Sequence, residues 1–342
     1  MSAVDGNAHA DVHAEAPRAC PVSRRRPLIW LGLAALLALA LAVSLGSVAV
    51  SPAELLAVLG GKGEMLHRTL VFELRLPRAL AAFGTGALLA LAGALMQVLL
   101  RNPLADPFVL GLSGGAAVAA LLAMIAGFGA ALISASAFAG ALLSTLIVFG
   151  LAQGTGSWTP VRLLLTGVVM ATGWGAVITF LLAVSPMERL PGMLYWLMGD
   201  LAYAERAWPV LLLAVVSLLV VMPLGRTLNV LARGGMAAAA LGVAVRPVEW
   251  ALYLLASLLT AVAVTTAGSI GFVGLMVPHM LRLALGNDQR LILPASLLAG
   301  GTLLTLADTL ARTMIAPQQL PVGVITAMLG VPGFLLLLHR SR

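Results

Sequence analysis

Residues 74–107 read LRLPRALAAFGTGALLALAGALMQVLLRNPLADP. The apolar run 79–100 is bounded at its start by Arg75 and Arg78, and at its end by a turn holding Pro103 and Pro107. A hydrocarbon core about 30 Å thick needs roughly 20 helical residues, so the run is long enough to cross a bilayer. Each proline removes a backbone donor and biases its predecessor away from helix, so residues 102–107 form a tight turn. Polar, irregular backbone of this kind is tolerated at membrane depth only where it lines a cavity or meets a partner. The stretch therefore reads as a membrane helix with functional ends.

Nine similar runs surround it, at 28–50, 109–126, 130–152, 163–184, 208–222, 248–267, 271–285, 292–311 and 322–339. With 61% hydrophobic and 10% charged residues, the chain has too little polar surface to cover a soluble globule. The expected fold class is an all-α integral membrane protein of about ten transmembrane helices. Alternation of ten spans puts both termini on one side. With that side inside, thirteen of the 20 Lys and Arg lie cytoplasmic and seven outside, as short cytoplasmic loops favour. The net charge of +7 is mainly this topology signal, since no basic soluble face suggests nucleic acid.

Residues 1–27 are polar, end in three arginines and read as a disordered cytoplasmic tail ahead of a transmembrane domain over 28–340. His9 and His13 lie isolated in that tail, and the single Cys20 excludes an internal disulfide. Gly60-Gly61-Lys62-Gly63 lacks the earlier glycine and the Ser or Thr of a phosphate-binding loop, and reads as a turn. No Ser/His/Asp set or metal-hydrolase spacing is evident, so energy for transport must come from an ion gradient or another subunit. Asp308 is the main charge within a span; it lies four residues before Arg312, where it can pair with it or serve proton relay.

Arg75 and Arg78 lie three apart and would project from one helical face at the outer side, with Pro77 suited to a first helical turn. Between spans, residues 223–247 hold a short, mostly apolar helix around Met236 that needs a protein cover. Gly268, Gly271 and Gly274 before Pro278 imply a discontinuous element, and lone His279 a hydrogen-bonded or metal-binding residue. The outer segment 186–209 carries Met193, Tyr195 and Trp196, adaptable groups that suit a passing macrocycle or an interfacial aromatic belt.

Several ordered motifs resemble the FecCD-type permease subunits of bacterial ABC importers for iron-siderophores, haem and cobalamin. They are Leu74-Arg75-Leu76-Pro77-Arg78, Gly93-Ala94-Leu95-Met96-Gln97, Arg101-Asn102-Pro103-Leu104-Ala105-Asp106-Pro107, Gly271-Phe272-Val273-Gly274-Leu275-Met276-Val277-Pro278-His279, Ala307-Asp308 with Ala311-Arg312, and Leu320-Pro321-Val322-Gly323-Val324. The resemblance implies a homodimer in the bacterial inner membrane with the pathway between its copies. It also implies two cytoplasmic ATPases beneath and a periplasmic binding protein above. It implies no cofactor on this chain, with ATP and Mg held by the partner ATPase.

By the same resemblance, Arg75, Arg78 and Arg312 dock the binding protein. Asn102 and Leu104 form one cytoplasmic gate element; Thr159 and Pro160 form a second, beside Trp158, where relatives carry small polar residues. Arg233, Met236, Ala239, Leu241 and Gly242 belong to the helix that enters an ATPase cleft, although this chain has Gly234-Gly235-Met236 where relatives often carry an acid and a polar residue. Gln97, Met193, Tyr195 and Trp196 are expected along the substrate pathway. The rival class is a stand-alone secondary transporter driven by an ion gradient through Asp308.

Overall fold

A backbone amide inside hydrocarbon has no water to bond, and a helix satisfies it within its own segment. The computed structural model describes residues 25–46, 48, 50–153, 159–202, 204 and 207–340, which hold helices and no strand. Helix α1 (Arg25–Ser44) is followed by two short helices, α2 (Pro52–Leu59) and α3 (Met65–Thr69). A π-helical turn, Leu70–Arg75, then runs directly into α4 (Leu76–Leu99). Next come α5 (Leu112–Ile125), α6 (Ala130–Gln153), α7 (Pro160–Val184), the short α8 (Leu190–Met198) and α9 (Trp208–Val221). Two small helices, α10 (Gly225–Leu231) and α11 (Gly235–Ala240), lead into α12 (Val245–Ala267), α13 (Val273–Leu285), α14 (Gln289–Thr313) and α15 (Val322–Arg340).

Among the described residues, seven helical runs are long and apolar enough to cross a membrane. Three shorter apolar helices, Leu112–Ile125, Val273–Leu285 and Val322–Leu336, fall on the other expected spans. The expected tail, with His9, His13 and Cys20, lies outside the described residues as far as residue 24; α1 takes in Arg25 to Pro27. The Gly60 to Gly63 stretch is a turn, with Gly61 at φ 76°. It follows α2, whose start is closed by a capping box between Ser51 and Glu54.

Helix α4 forms the centre, packed against α9, α12, α13 and α14. In its span 89% of the apolar window is buried, against 11% in α7, so α4 is the core and α7 presents itself to something outside the chain. Lipid tails are as apolar as leucine, so helices hold together by close fit rather than by escape from water. The fit at α4 depends on glycine pairs. A Cβ on Gly86 would overlap the carbonyl of Gly300 on α14, and one on Gly93 the carbonyl of Gly274 on α13. The discontinuity expected near Gly268 is present: α12 stops at Ala267, α13 starts at Val273, and both Gly268 and Phe272 between them have φ 70°.

Candidate functional site

At the end expected to face outward, Arg75 closes the π-helical turn and points into the protein. Its Nη1 donates to the carbonyls of Val43 and Ser44, each at 3.0 Å, and its Nη2 donates to Val48. The last carbonyls of a helix have no partner of their own, so a buried guanidinium here caps α1. Arg312 is likewise buried, donating to Asp308 Oδ2 at 3.0 Å and to the Ala42 carbonyl at 3.1 Å. The expected outward projection therefore does not hold for Arg75, and Arg312 turns inward too, because helix carbonyls and a carboxylate offer partners within the fold.

Arg78 lies in the first turn of α4. Its Nη2 reaches Asp308 Oδ1 at 2.8 Å, its Nη1 reaches Gln319 Oε1 at 2.8 Å, and Asp200 lies 3.9 Å away. Asp308 pairs with Arg312 as its spacing suggests, and shares its carboxylate with Arg78 as well. All three arginines still line one cavity of about 540 Å³ at this end, with Glu73, Leu74 and Gln319. Asp200 and Gln319 escaped sequence reasoning because they lie in loops far along the chain from α4.

At the opposite end, the turn after α4 is built from its own side chains. The Leu104 amide donates to Asn102 Oδ1 at 2.9 Å, and the Phe108 amide to Asp106 Oδ1 at 2.8 Å. Burial pushes the Asp106 carboxyl up to about 6, against the Phe108 amide, which favours the charged form. Leu104 is exposed at the tip of the turn. Thr159 caps α7, its Oγ1 accepting from the Arg162 amide at 3.3 Å, and Pro160 takes the first helical position. Trp158 lies outside the described residues.

Helix α11 projects from this end with its apolar side uncovered. Met236 is 92% exposed and Leu241 70%, with Ala239, Gly242 and Arg233 also exposed. Beside it a cavity of about 610 Å³ is lined by Gln97, Arg101, Arg233, Arg282 and Asp288, among others. Gln97 bridges α4 to α13, donating to the Leu275 carbonyl and accepting from Arg282 Nε, each at 3.1 Å. Burial opposes ionisation of Asp288, yet hydrogen bonds from Asn229 and Arg290 outweigh it and hold the carboxyl down at about 2.

The four expected pathway residues do not converge. Gln97 faces the cavity beside α11, and Met193 is fully buried with its Sδ accepting from Ser185 Oγ at 3.0 Å. Tyr195 and Trp196 line a separate cavity of about 490 Å³ with Glu188, Arg189, Thr265 and Thr266. Tyr203 lies outside the described residues. His279 stands 6.0 Å from the Phe334 ring, centroid to centroid. Among the described residues no group of three or more His, Cys, Asp or Glu could hold a metal ion.

Comparison with known proteins bears on this two-ended arrangement. The model of the FecCD transport family matches residues 33–340. The chain is 41% identical to the vitamin B12 import system permease protein BtuC of Vibrio vulnificus, over 93% of this chain and 96% of that protein. It is also 41% identical to the hemin transport system permease protein HmuU of Yersinia pestis, over 79% of this chain and 83% of that one. A solved structure described as an inward-facing conformation of a metal-chelate type ABC transporter superposes with a TM-score of 0.82. That structure is 28% identical and covers 92% of this chain and 99% of its own. The chain, from the arginine-lined cavity at one end to the uncovered helix at the other, belongs to the FecCD transport family.

Proposed function

We propose that this chain is the permease subunit of an ABC importer that carries an iron-siderophore, haem or cobalamin-type chelate from periplasm to cytoplasm across a bacterial inner membrane. The chain itself hydrolyses nothing; ATP and Mg bind a partner ATPase. The carrying observation is α11, a six-residue helix whose Met236 is 92% exposed and which its own chain leaves uncovered. An apolar helix held out from the membrane domain has to be covered by a protein partner. Relatives named as permeases for vitamin B12 and for hemin are each 41% identical to the chain over the matched residues, which supports a metal-chelating macrocycle as cargo.

A periplasmic binding protein docks at the arginine-lined outer cavity. Charge at such a face sets orientation and on-rate more than affinity. Arg75 and Arg312 shape that cavity from within, and Arg78 reaches both Asp308 and the side chain of Gln319 across it. Leu104 and Asn102 in the inner turn, and Thr159 with Pro160 at the start of α7, narrow the cytoplasmic end. Two copies of the chain enclose the pathway.

The test is a pull-down of the tagged chain in gentle detergent from native membranes, with mass spectrometry of what co-purifies and the native mass of the complex. The expected result is an ATPase and two copies of this chain in equal number. A homogeneous species without any ATPase that still takes up chelate in vesicles would overturn the reading and favour a gradient-driven carrier.

A further inference from the structure

Arg101 is the first residue of the inner turn, and three observations converge on it. Its φ is +50°, a left-handed backbone that residues with side chains rarely adopt and that is retained where the surroundings fix it. Its Nη2 donates to Oε1 of Glu249, a buried carboxylate in the second turn of α12, at 2.9 Å. The same nitrogen stands where α11 begins: a Cβ on Gly235 would lie 2.8 Å from it. One guanidinium thus touches the uncovered helix, the start of α12 and, through its own backbone, the gate turn.

The turn is stiff enough to follow it. The Asn102 amide donates to the Gln97 carbonyl at 3.2 Å, the Ala105 amide to the Asn102 carbonyl at 3.1 Å, and the Leu104 amide to the Asn102 side chain. An ion pair that merely decorated the cytoplasmic surface would need neither a left-handed backbone nor a buried carboxylate. Here the unfavourable backbone sets the side chain against α11 and α12 at once.

We propose that Arg101 is a positioning residue for transport, tying any displacement of α11 to the turn that carries Asn102 and Leu104. Glu249 is the anchor that keeps its guanidinium at this junction. The inference rests on the reading of α11 as the ATPase contact. A guanidinium clamped at one end to a buried carboxylate transmits a push from Gly235; without the clamp it swings into the neighbouring cavity. ATP would then be hydrolysed with little movement of the gate.

The experiment uses the importer in proteoliposomes with its co-purified ATPase and its binding protein, reading ATP hydrolysis and uptake of cobalamin and of haem in parallel. Wild type comes first: if no ATPase accompanies it, the importer reading fails before any variant is made. Arg101→Glu, Glu249→Arg and the double swap are then compared. Loss of one partner of this half-buried pair is expected to cut chelate taken up per ATP by about tenfold, with ATPase binding and hydrolysis kept within about twofold. The swap should regain most of the uptake. Singles that transport as wild type overturn the proposal. So do singles that lose ATPase binding and uptake together, which marks a purely structural pair. Glu249→Gln, which keeps shape and an acceptor, guards against misfolding and should show the same uncoupling in weaker form.

Discussion

Asp308 is enclosed by two guanidiniums, and that decides what it can do. Arg78 and Arg312 share its carboxylate at 2.8 and 3.0 Å, deep in the arginine-rich end of the fold. Loss of one member of a buried ionic group costs about 3–5 kcal/mol, because the remaining charge stays desolvated. Asp308→Asn is therefore expected to lower the thermal unfolding temperature of the purified protein clearly in detergent. A variant with unaltered stability but no transport would instead indicate proton relay. Half of this cluster was legible: Asp308 and Arg312 sit four apart on one helix. The other half was not, since Arg78 lies 230 residues from Asp308 and Arg75 lies 32 from the Val43 carbonyl it caps. No local spacing records contacts made by tertiary packing.

Asp106 carries a pH dependence of definite sign. Its folded carboxyl titrates at about 6, above the unfolded value near 3.9, because burial disfavours the charge. Between those values the folded state holds a proton that the unfolded state has lost, so this residue's contribution falls as pH rises through about 4 to 6 and then stays level. Asp106→Asn keeps the acceptor for the Phe108 amide and removes the titration. Unfolding temperatures followed from pH 4 to 7 should show wild type losing ground against Asp106→Asn only within that window. Parallel curves would refute the assignment.

At the scale of elements, α4 and α11 make opposite demands. Helix α4 is nearly all core and closes on α13 and α14 through Gly93 and Gly86, so Gly93→Val should prevent assembly of a monodisperse protein. Gly173→Ala on α7, where an added Cβ meets nothing within 4 Å, should leave it unaffected. Size-exclusion profiles of the two distinguish close packing from mere hydrophobic content. Helix α11 has to be left uncovered by its own chain. Met236→Asp with Leu241→Asp should leave that profile intact and weaken ATPase capture by about thirtyfold or more, as removal of an interface hot spot does. The apolar runs and the proline turns that bound these elements were plain in the sequence. What was not plain was that residues 223–247 hold two helices, α10 and α11, because α10 is only seven residues long and mixes Arg226, Thr227 and Asn229 with its apolar residues.

For the molecule as a whole, the unsettled surface is α7. One side of it packs on α5 and α6, but most of its apolar surface is left open, and it carries Gly173 and Gly175, where an added Cβ meets open space, and Thr172 and Thr179, whose hydroxyls bond back to their own helix. Lipid gains little from small residues, whereas a second helix can approach closely over them. The exposed leucines of α9, such as Leu212, suit lipid instead. A twofold assembly places the same face of each copy against the other, so a residue near the axis meets its own counterpart. Val169 is exposed on α7. In a chain with Cys20 replaced by Ser, Val169→Cys is expected to form a covalent dimer on mild oxidation in membranes, and Leu212→Cys to remain monomeric. Equal crosslinking of both would mean random collision in the bilayer, and crosslinking at Leu212 alone would move the interface from α7 to α9. The expected pattern would place the pathway between two copies, with the arginine-lined cavities of both at one end and the two α11 helices at the other.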